Sequence, residues 1–315
     1  MHKEPFVILG QAVALGKSLV IEMEVAKLHT RNSITIPVII ERGKKPGPTV
    51  LLMAGVHGDE INGVAIIRKM IREKYNKPLI GTIVCIPVLN VFGYLNQDRF
   101  LPDGRDLNRS FPGAATGSLA SQFAFKFMKE IAPLVDYVLD FHTGGNERAN
   151  HPQIRIAPKQ NNLMELAKTF APPFIIESAC VTKSIRDSLT KLGVNVLLFE
   201  GGKSKKIHPK VMTMGVEGTL RVLHSLGMIE PHPKPLEETV LLKESKWIRA
   251  PHSGMLYLNI RNGIFVKKKD VLGFITDPYG DFEKKITAPC DCYIFGINNA
   301  PIVNKGDAVF HIGLA

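Results

Sequence analysis

Two side chains three residues apart carry the first chemistry in this sequence: His57 and Glu60, within TVLLMAGVHGDEINGVAIIRKM, Thr49 to Met70. An imidazole and a carboxylate brought into one space can ligate a divalent metal. Catalytic zinc takes three His or carboxylate ligands and leaves its fourth position to water. A loop histidine next to a helix-capping glutamate has the same spacing, so the pair alone decides nothing. Further along, DYVLDFHTGG (Asp136 to Gly145) sets His142 at the carboxyl end of an apolar run that contains Asp140. VNVLLFEGG (Val194 to Gly202) ends in Glu200. Asp140 is either a partner that orients a metal-bound imidazole or a buried, paired acid. Glu200 lies either at the edge of a crevice or as a strand-end acid turned to water. Taken together, His57, Glu60 and His142 form a His, Glu, His set at strand ends, which favours a metal site.

The elements around these residues explain why their ends should meet. Val50 to Met53 is apolar enough for an interior strand, and Gly55 and Gly58 break it. Asp59 stands where a helix N-cap is wanted, and Ile61, Val64, Ile67 and Ile71 then recur at helical spacing. A second buried strand, GTIVCIPVLN (Gly81 to Asn90), completes a strand, helix, strand order that predicts an α/β sheet. Such sheets bind ligands at the carboxyl ends of their strands. ITIPVII (Ile34 to Ile40) predicts an earlier strand and Phe174 to Ile176 a later one. Helices are expected near Ser118–Ile131, Leu163–Phe170, Lys183–Gly193 and Pro209–Leu226. RFLPDGRDLNRSFPG (Arg99 to Gly113) cannot be regular, with two prolines and several turn-formers. It holds Arg99, Arg105, Asn108 and Arg109, planar donors suited to carboxylates, although a solvated surface loop has the same composition.

Composition bounds the function classes. The 315 residues are 45% hydrophobic and 22% charged, as in a globular protein with a real core. No apolar run approaches the ~20 residues of a membrane span, so no membrane role is expected. FVILGQAVALG near the amino terminus is interrupted by Gln11 and flanked by Glu4, and predicts an early strand rather than a signal core. Four cysteines with no CxxC pair indicate neither a disulfide framework nor a Cys-type zinc site, and a cytoplasmic location is expected. The net charge of +11 raises the question of nucleic acid. Aromatics are only 7% and do not interleave with the lysine runs, so solvated faces or an acidic substrate account for the charge.

With AGVHGDEING, DGRDLNRSFPG, DFHTGG and LLFEGG in that order, the chain resembles the succinylglutamate desuccinylase/aspartoacylase family, relatives of the zinc carboxypeptidases. The resemblance covers about residues 30 to 230 and extends into the rest. It implies one zinc ion per chain held by His57, Glu60 and His142, with Glu200 as general base. It makes Asn108 and Arg109 the pair for a substrate carboxylate and Arg99 the arginine that helps hold the reacting carbonyl oxygen. Arg105 is a rival for that last role. Arg148, Arg155 and Arg186 lie in segments similar to ones lining the cleft in some members. The implied fold is a three-layer α/β/α, zinc-carboxypeptidase-like sheet domain.

After prolines 231, 233 and 235, which mark a linker, the chain repeats itself with a period of about 38 residues. Ala250-Pro251 to Tyr257 is echoed by Ala288-Pro289 to Ile294, and Val266 to Asp270 by Val303 to Asp307. This resembles the duplicated barrel-sandwich of biotinyl and lipoyl carrier domains. The hairpin that would carry the attachment lysine reads TDPYGD, Thr276 to Asp281, without a lysine, so a lid or assembly module is expected instead. The expected division is a catalytic domain over 1–235 and a small all-β module over 236–315. The function implied is a zinc-dependent hydrolase that deacylates a small, carboxylate-bearing N-acyl amino acid, possible as a homo-oligomer. The alternatives are a carboxypeptidase acting on peptide C-termini and a non-catalytic binding relative.

Overall fold

The computed structural model describes residues 5–158, 160–231 and 238–315. Prolines 233 and 235 of the expected linker lie outside them. In the central strand, Val50, Leu52 and Ala54 enter one core and Leu51 and Met53 the other, all fully buried. A strand that is apolar on both faces must be covered on both. Helices Leu119–Glu130 and Ile185–Lys191 cover one face, and Ile61–Arg72, Asn161–Phe170 and Pro209–Ser225 cover the other. The three-layer α/β/α architecture is therefore the one expected.

Parallel pairing runs from Ile80–Ile86 through Lys45–Ala54 and Tyr137–Gly144 to Asn195–Lys203. Antiparallel strands Ser33–Arg42 and Ser18–Lys27 extend one side, and Arg148–Ile156 joins the other. The segment that could have passed for a signal core is a hairpin, Phe6–Ile8 with Gln11–Val13. Along Arg148–Ile156 the register passes from Gln153 opposite Glu200 to Asn150 opposite Gly202. One extra residue therefore bulges out at His151–Pro152, where a proline has no N–H to give. The bulge reverses the strand's alternation. Arg148, Asn150 and Arg155, which strict alternation would split between faces, all line one cleft.

The carboxy-terminal repeat folds as two four-stranded sheets. One runs Glu244–Arg249, Ala308–Leu314, Cys292–Asn298, Ile264–Val266. The other runs Glu283–Thr287, Val271–Thr276, Gly254–Leu258, Ile302–Val303. Exchanging the two sequence halves turns one strand order into the other, so the duplication is interlocked. At the hairpin between the halves, Asp277 accepts from the backbone N–H groups of Tyr279, Gly280 and Asp281. Two attachments tie these strands to the larger sheet. Val240–Leu242 pairs in parallel with Phe174–Glu177, and Gly296–Asn298 pairs with Arg148–Asn150. The seam is close at Gly296, where a Cβ would stand 3.0 Å from the Cβ of His311 and 3.1 Å from Asn150 Oδ1. Among the described residues no helix is long and apolar enough to cross a membrane.

Candidate active site

His57 and Glu60 occupy the turn between the central strand and helix Ile61–Arg72. Gly58 makes that turn possible. A Cβ there would lie 1.8 Å from the Gly93 carbonyl carbon, since helix Val91–Asn96 packs directly on the backbone. Asp59, the expected N-cap, does not fill that position. Glu60 does, and its carboxylate makes no cap bond. That carboxylate is committed elsewhere: Oε1 lies 2.7 Å from His57 Nδ1, while Oε2 lies 3.0 Å from His142 Nδ1 and accepts from Thr143 N at 2.9 Å. The far nitrogens meet other acids. His142 Nε2 is 3.0 Å from Asp140 Oδ2, and His57 Nε2 is 3.4 Å from Asp106 Oδ1.

Electrostatics follow from this packing. Burial by itself would raise Glu60, but His57 and His142 hold it well below the usual carboxylate range. Burial opposes charge on both imidazoles, yet Glu60 and Asp106 raise His57, and Asp140 and Glu60 raise His142 well above its ordinary value. Burial would likewise raise Asp106, but His57 and Arg99 carry it below the carboxylate range. A cation placed where these protons sit meets the same acids. One ligand atom each from His57, Glu60 and His142 lies within 4.8 Å of the others, so the trio could hold a metal ion. Buried His nitrogens with acids behind them are the donor set and outer support that zinc takes.

The arginine loop closes one side. Arg99 donates to Asp106 Oδ2 from Nε at 3.0 Å and Nη2 at 2.8 Å, and its Nη1 reaches Glu60 Oε1 at 3.4 Å. Arg105 turns away. It is exposed, bonds Asp103 at 3.0 Å and does not line the cleft, because the backbone turn at Asp103–Gly104 directs it outward. Asp106 also fixes Asn108 through its backbone N–H at 2.8 Å, and Asn108 Oδ1 accepts from Ile185 N at 2.9 Å. The Asn108 amide nitrogen is thereby left for the cleft, beside Arg109.

Glu200 stands in register beside His142 on the neighbouring strand, and Asn150 Nδ2 donates to its Oε2 at 2.8 Å. Both glutamates, both histidines, Arg99, Asn108, Arg109, Arg148, Arg155 and Arg186 line one cleft of about 570 Å³. Residues 46–226 match the succinylglutamate desuccinylase/aspartoacylase catalytic domain. The chain belongs to that family. It is 28% identical over 262 residues to the N-alpha-acetyl-L-2,4-diaminobutyric acid deacetylase of Halomonas elongata, covering 78% of this chain and 75% of that protein. Its fold matches the product-bound ectoine utilization protein of Ruegeria pomeroyi with a TM-score of 0.85 at 21% identity, over 100% of both chains. It matches a succinylglutamate desuccinylase/aspartoacylase of Rhodobacter sphaeroides with a TM-score of 0.83 at 23% identity, over 94% and 95% of the two chains.

Four residues of this family member's cleft escape a reading of its sequence. Asp106 is one of two acids in the loop, with no mark to set it apart from Asp103. Asn150 depends on the bulge. Trp247 and His311 come from the carboxy-terminal repeat and reach the cleft through the seam strand. His151, the histidine nearest the cleft in sequence, instead packs on Phe174 with ring centroids 5.5 Å apart.

Proposed function

We propose that the protein is a zinc-dependent hydrolase that cleaves the amide bond of a small N-acyl amino acid. The observation that carries this reading is the convergence of His57, Glu60 and His142, with Glu200 on the adjacent strand of the same cleft. The deacetylase activity named for the Halomonas relative supports it. His57 and His142 would bind the metal through the Nδ1 atoms that face Glu60, backed at Nε2 by Asp106 and Asp140. A bound zinc supplies Lewis acidity, drawing the pKa of water from about 16 toward about 7 and polarising a carbonyl.

The chain's own groups do the rest. Asn150 binds only Oε2 of Glu200, which leaves Oε1 to take a proton from the attacking water and return it to the departing amine. Arg99, braced by Asp106, offers Nη1 beside Glu60, where negative charge on the carbonyl oxygen would develop. Asn108 and Arg109 would clamp a substrate carboxylate, holding the acyl group in a reactive pose. Deacylation, with release of an amino acid, follows from that order of events.

Two measurements test the reading. Elemental analysis should find about one zinc per chain in the wild type and none in a His57→Ala, His142→Ala double variant. Amine-release assays should show turnover of N-acyl amino acids and none of dipeptides. A protein that cannot be loaded with metal would refute the mechanism, and preferential dipeptide cleavage would favour a carboxypeptidase.

A further inference from the structure

Among the described residues the Glu200 carboxylate takes a single hydrogen bond, from Asn150 Nδ2 to Oε2 at 2.8 Å. Strand register alone does not bring these two together. Gln153 is the residue opposite Glu200, and Asn150 is opposite Gly202. Gln153 is fully buried, yet neither atom of its amide has a partner. Asn150, 8% exposed, reaches Glu200 because the strand bulges between the two positions.

The bulge is also where Arg148–Ile156 changes neighbours. Residues 153–156 pair in parallel with Phe174–Glu177, whereas 148–150 pair with Gly296–Asn298 of the carboxy-terminal repeat. The repeat clasps the same stretch with further bonds. Asn262 Nδ2 donates to the Ala149 carbonyl at 3.1 Å. Asn299 donates to the Glu147 carbonyl from its backbone N at 3.0 Å and from Nδ2 at 3.2 Å. At the bulge, His151 is boxed in by Gly263, where a Cβ would stand 2.4 Å from its Cε1. Asn150 Oδ1 faces Gly296 across the seam while Nδ2 faces Glu200, so this one amide spans the gap from the repeat to the carboxylate.

A glutamate side chain is rich in rotamers, and a reacting group misplaced by about 1 Å can lose about 10²-fold in rate. A hydrogen bond from a clasped strand selects one rotamer. We infer that Asn150 is a positioning residue for Glu200 and that the carboxy-terminal repeat sets its place. The repeat then serves the reaction through the base, beyond bordering the mouth of the cleft. This rests on Glu200 as general base, as in the deacylase reading, but not on which amide is cut.

Double-mutant cycles on the zinc-loaded enzyme test it, with N-acetyl amino acids and with dipeptides as substrates. Asn150→Ala should lower kcat by about 10- to 100-fold, with KM and zinc content within about twofold of wild type. In a Glu200→Ala background the same substitution should change kcat by less than about twofold, because no base is left to position. An Asn262→Ala, Asn299→Ala double variant should lower kcat by about threefold or more, again only where Glu200 is present. In the metal-free protein that variant should also speed amide hydrogen exchange at residues 147–150. A loss that persists in full without Glu200, or that falls on KM or zinc content instead, marks a structural role and overturns the positioning; turnover of N-acyl amino acids would still uphold the deacylase. Unchanged exchange and unchanged kcat in the double variant overturn the part given to the repeat. A cycle that is non-additive on dipeptides, in an enzyme that turns over no N-acyl amino acid, supports the positioning and overturns the deacylase. Turnover of neither substrate overturns both.

Discussion

Asp140→Asn probes the support behind the proposed metal trio with little change of shape. Asp140 is fully buried, with Oδ2 3.0 Å from His142 Nε2 and Oδ1 without a partner. Burial opposes charge on His142, and Asp140 is the strongest of the groups working against that. With a metal bound, the carboxylate would keep a proton on Nε2 and leave Nδ1, the atom facing Glu60, as the ligand lone pair. An asparagine can turn its carbonyl toward Nε2 and keep the hydrogen bond, but the charge is gone. Losses from such outer partners run about 10- to 100-fold in metal affinity, or about 1.4–2.7 kcal/mol. Zinc titrated against a competing chelator at fixed pH measures this, with thermal unfolding of the metal-free proteins run in parallel to separate stability from affinity. Affinities within about twofold of wild type for both Asp140→Asn and Asp140→Ala would show that Asp140 does not tune the site, refuting the reasoning.

Three other outcomes are expected. His311 is held neutral in the fold with its pKa at about 3, below the unfolded value of 6.5, so its contribution to stability is complete above pH 6.5 and is lost as the pH falls toward 3. Between pH 7 and 5 that loss is about 2 kcal/mol, and urea unfolding of His311→Gln should show a correspondingly shallower decline. Gly58→Ala forces a methyl against the backbone of Gly93 and Tyr94, so it should destabilise by about 3 kcal/mol or more and reduce metal content, read by thermal unfolding and elemental analysis. Arg99→Ala should lower kcat by about 10²- to 10³-fold and Arg105→Ala by less than about twofold, since only Arg99 faces the proposed metal trio; equal effects would overturn that distinction, and a larger loss in Arg105→Ala would reverse their roles.

The parts of the site visible in the sequence share one property: each is governed by residues close by in the chain. An apolar run ending in glycines declares the central strand, and a helical repeat after Glu60 declares the return. Parallel connectivity then sends the strand ends bearing His57, His142 and Glu200 to one edge, so the trio and its neighbour could be grouped without coordinates. The duplicated carboxy-terminal repeat was visible for the same reason, since two copies of a pattern stand in the letters themselves. Asp59 shows where local reasoning fails. It has the residue type of a cap, but Glu60 takes that place, its carboxylate held by His57 three residues back and by His142 on another strand.

Only the tertiary structure decided the rest. Which acid of the 99–113 loop turns inward depends on how the loop folds over His57, so Asp106 and the choice between Arg99 and Arg105 were open. Arg148 and Asn150 reach the cleft because a bulge at His151–Pro152 reverses the alternation of their strand. Trp247 and His311 reach it because a strand of the second half of the repeat pairs with Arg148–Asn150. Pairing between strands well over a hundred residues apart is a choice among many edges of similar backbone chemistry. It is settled by which faces are buried when all the layers close, a condition no short window of sequence contains.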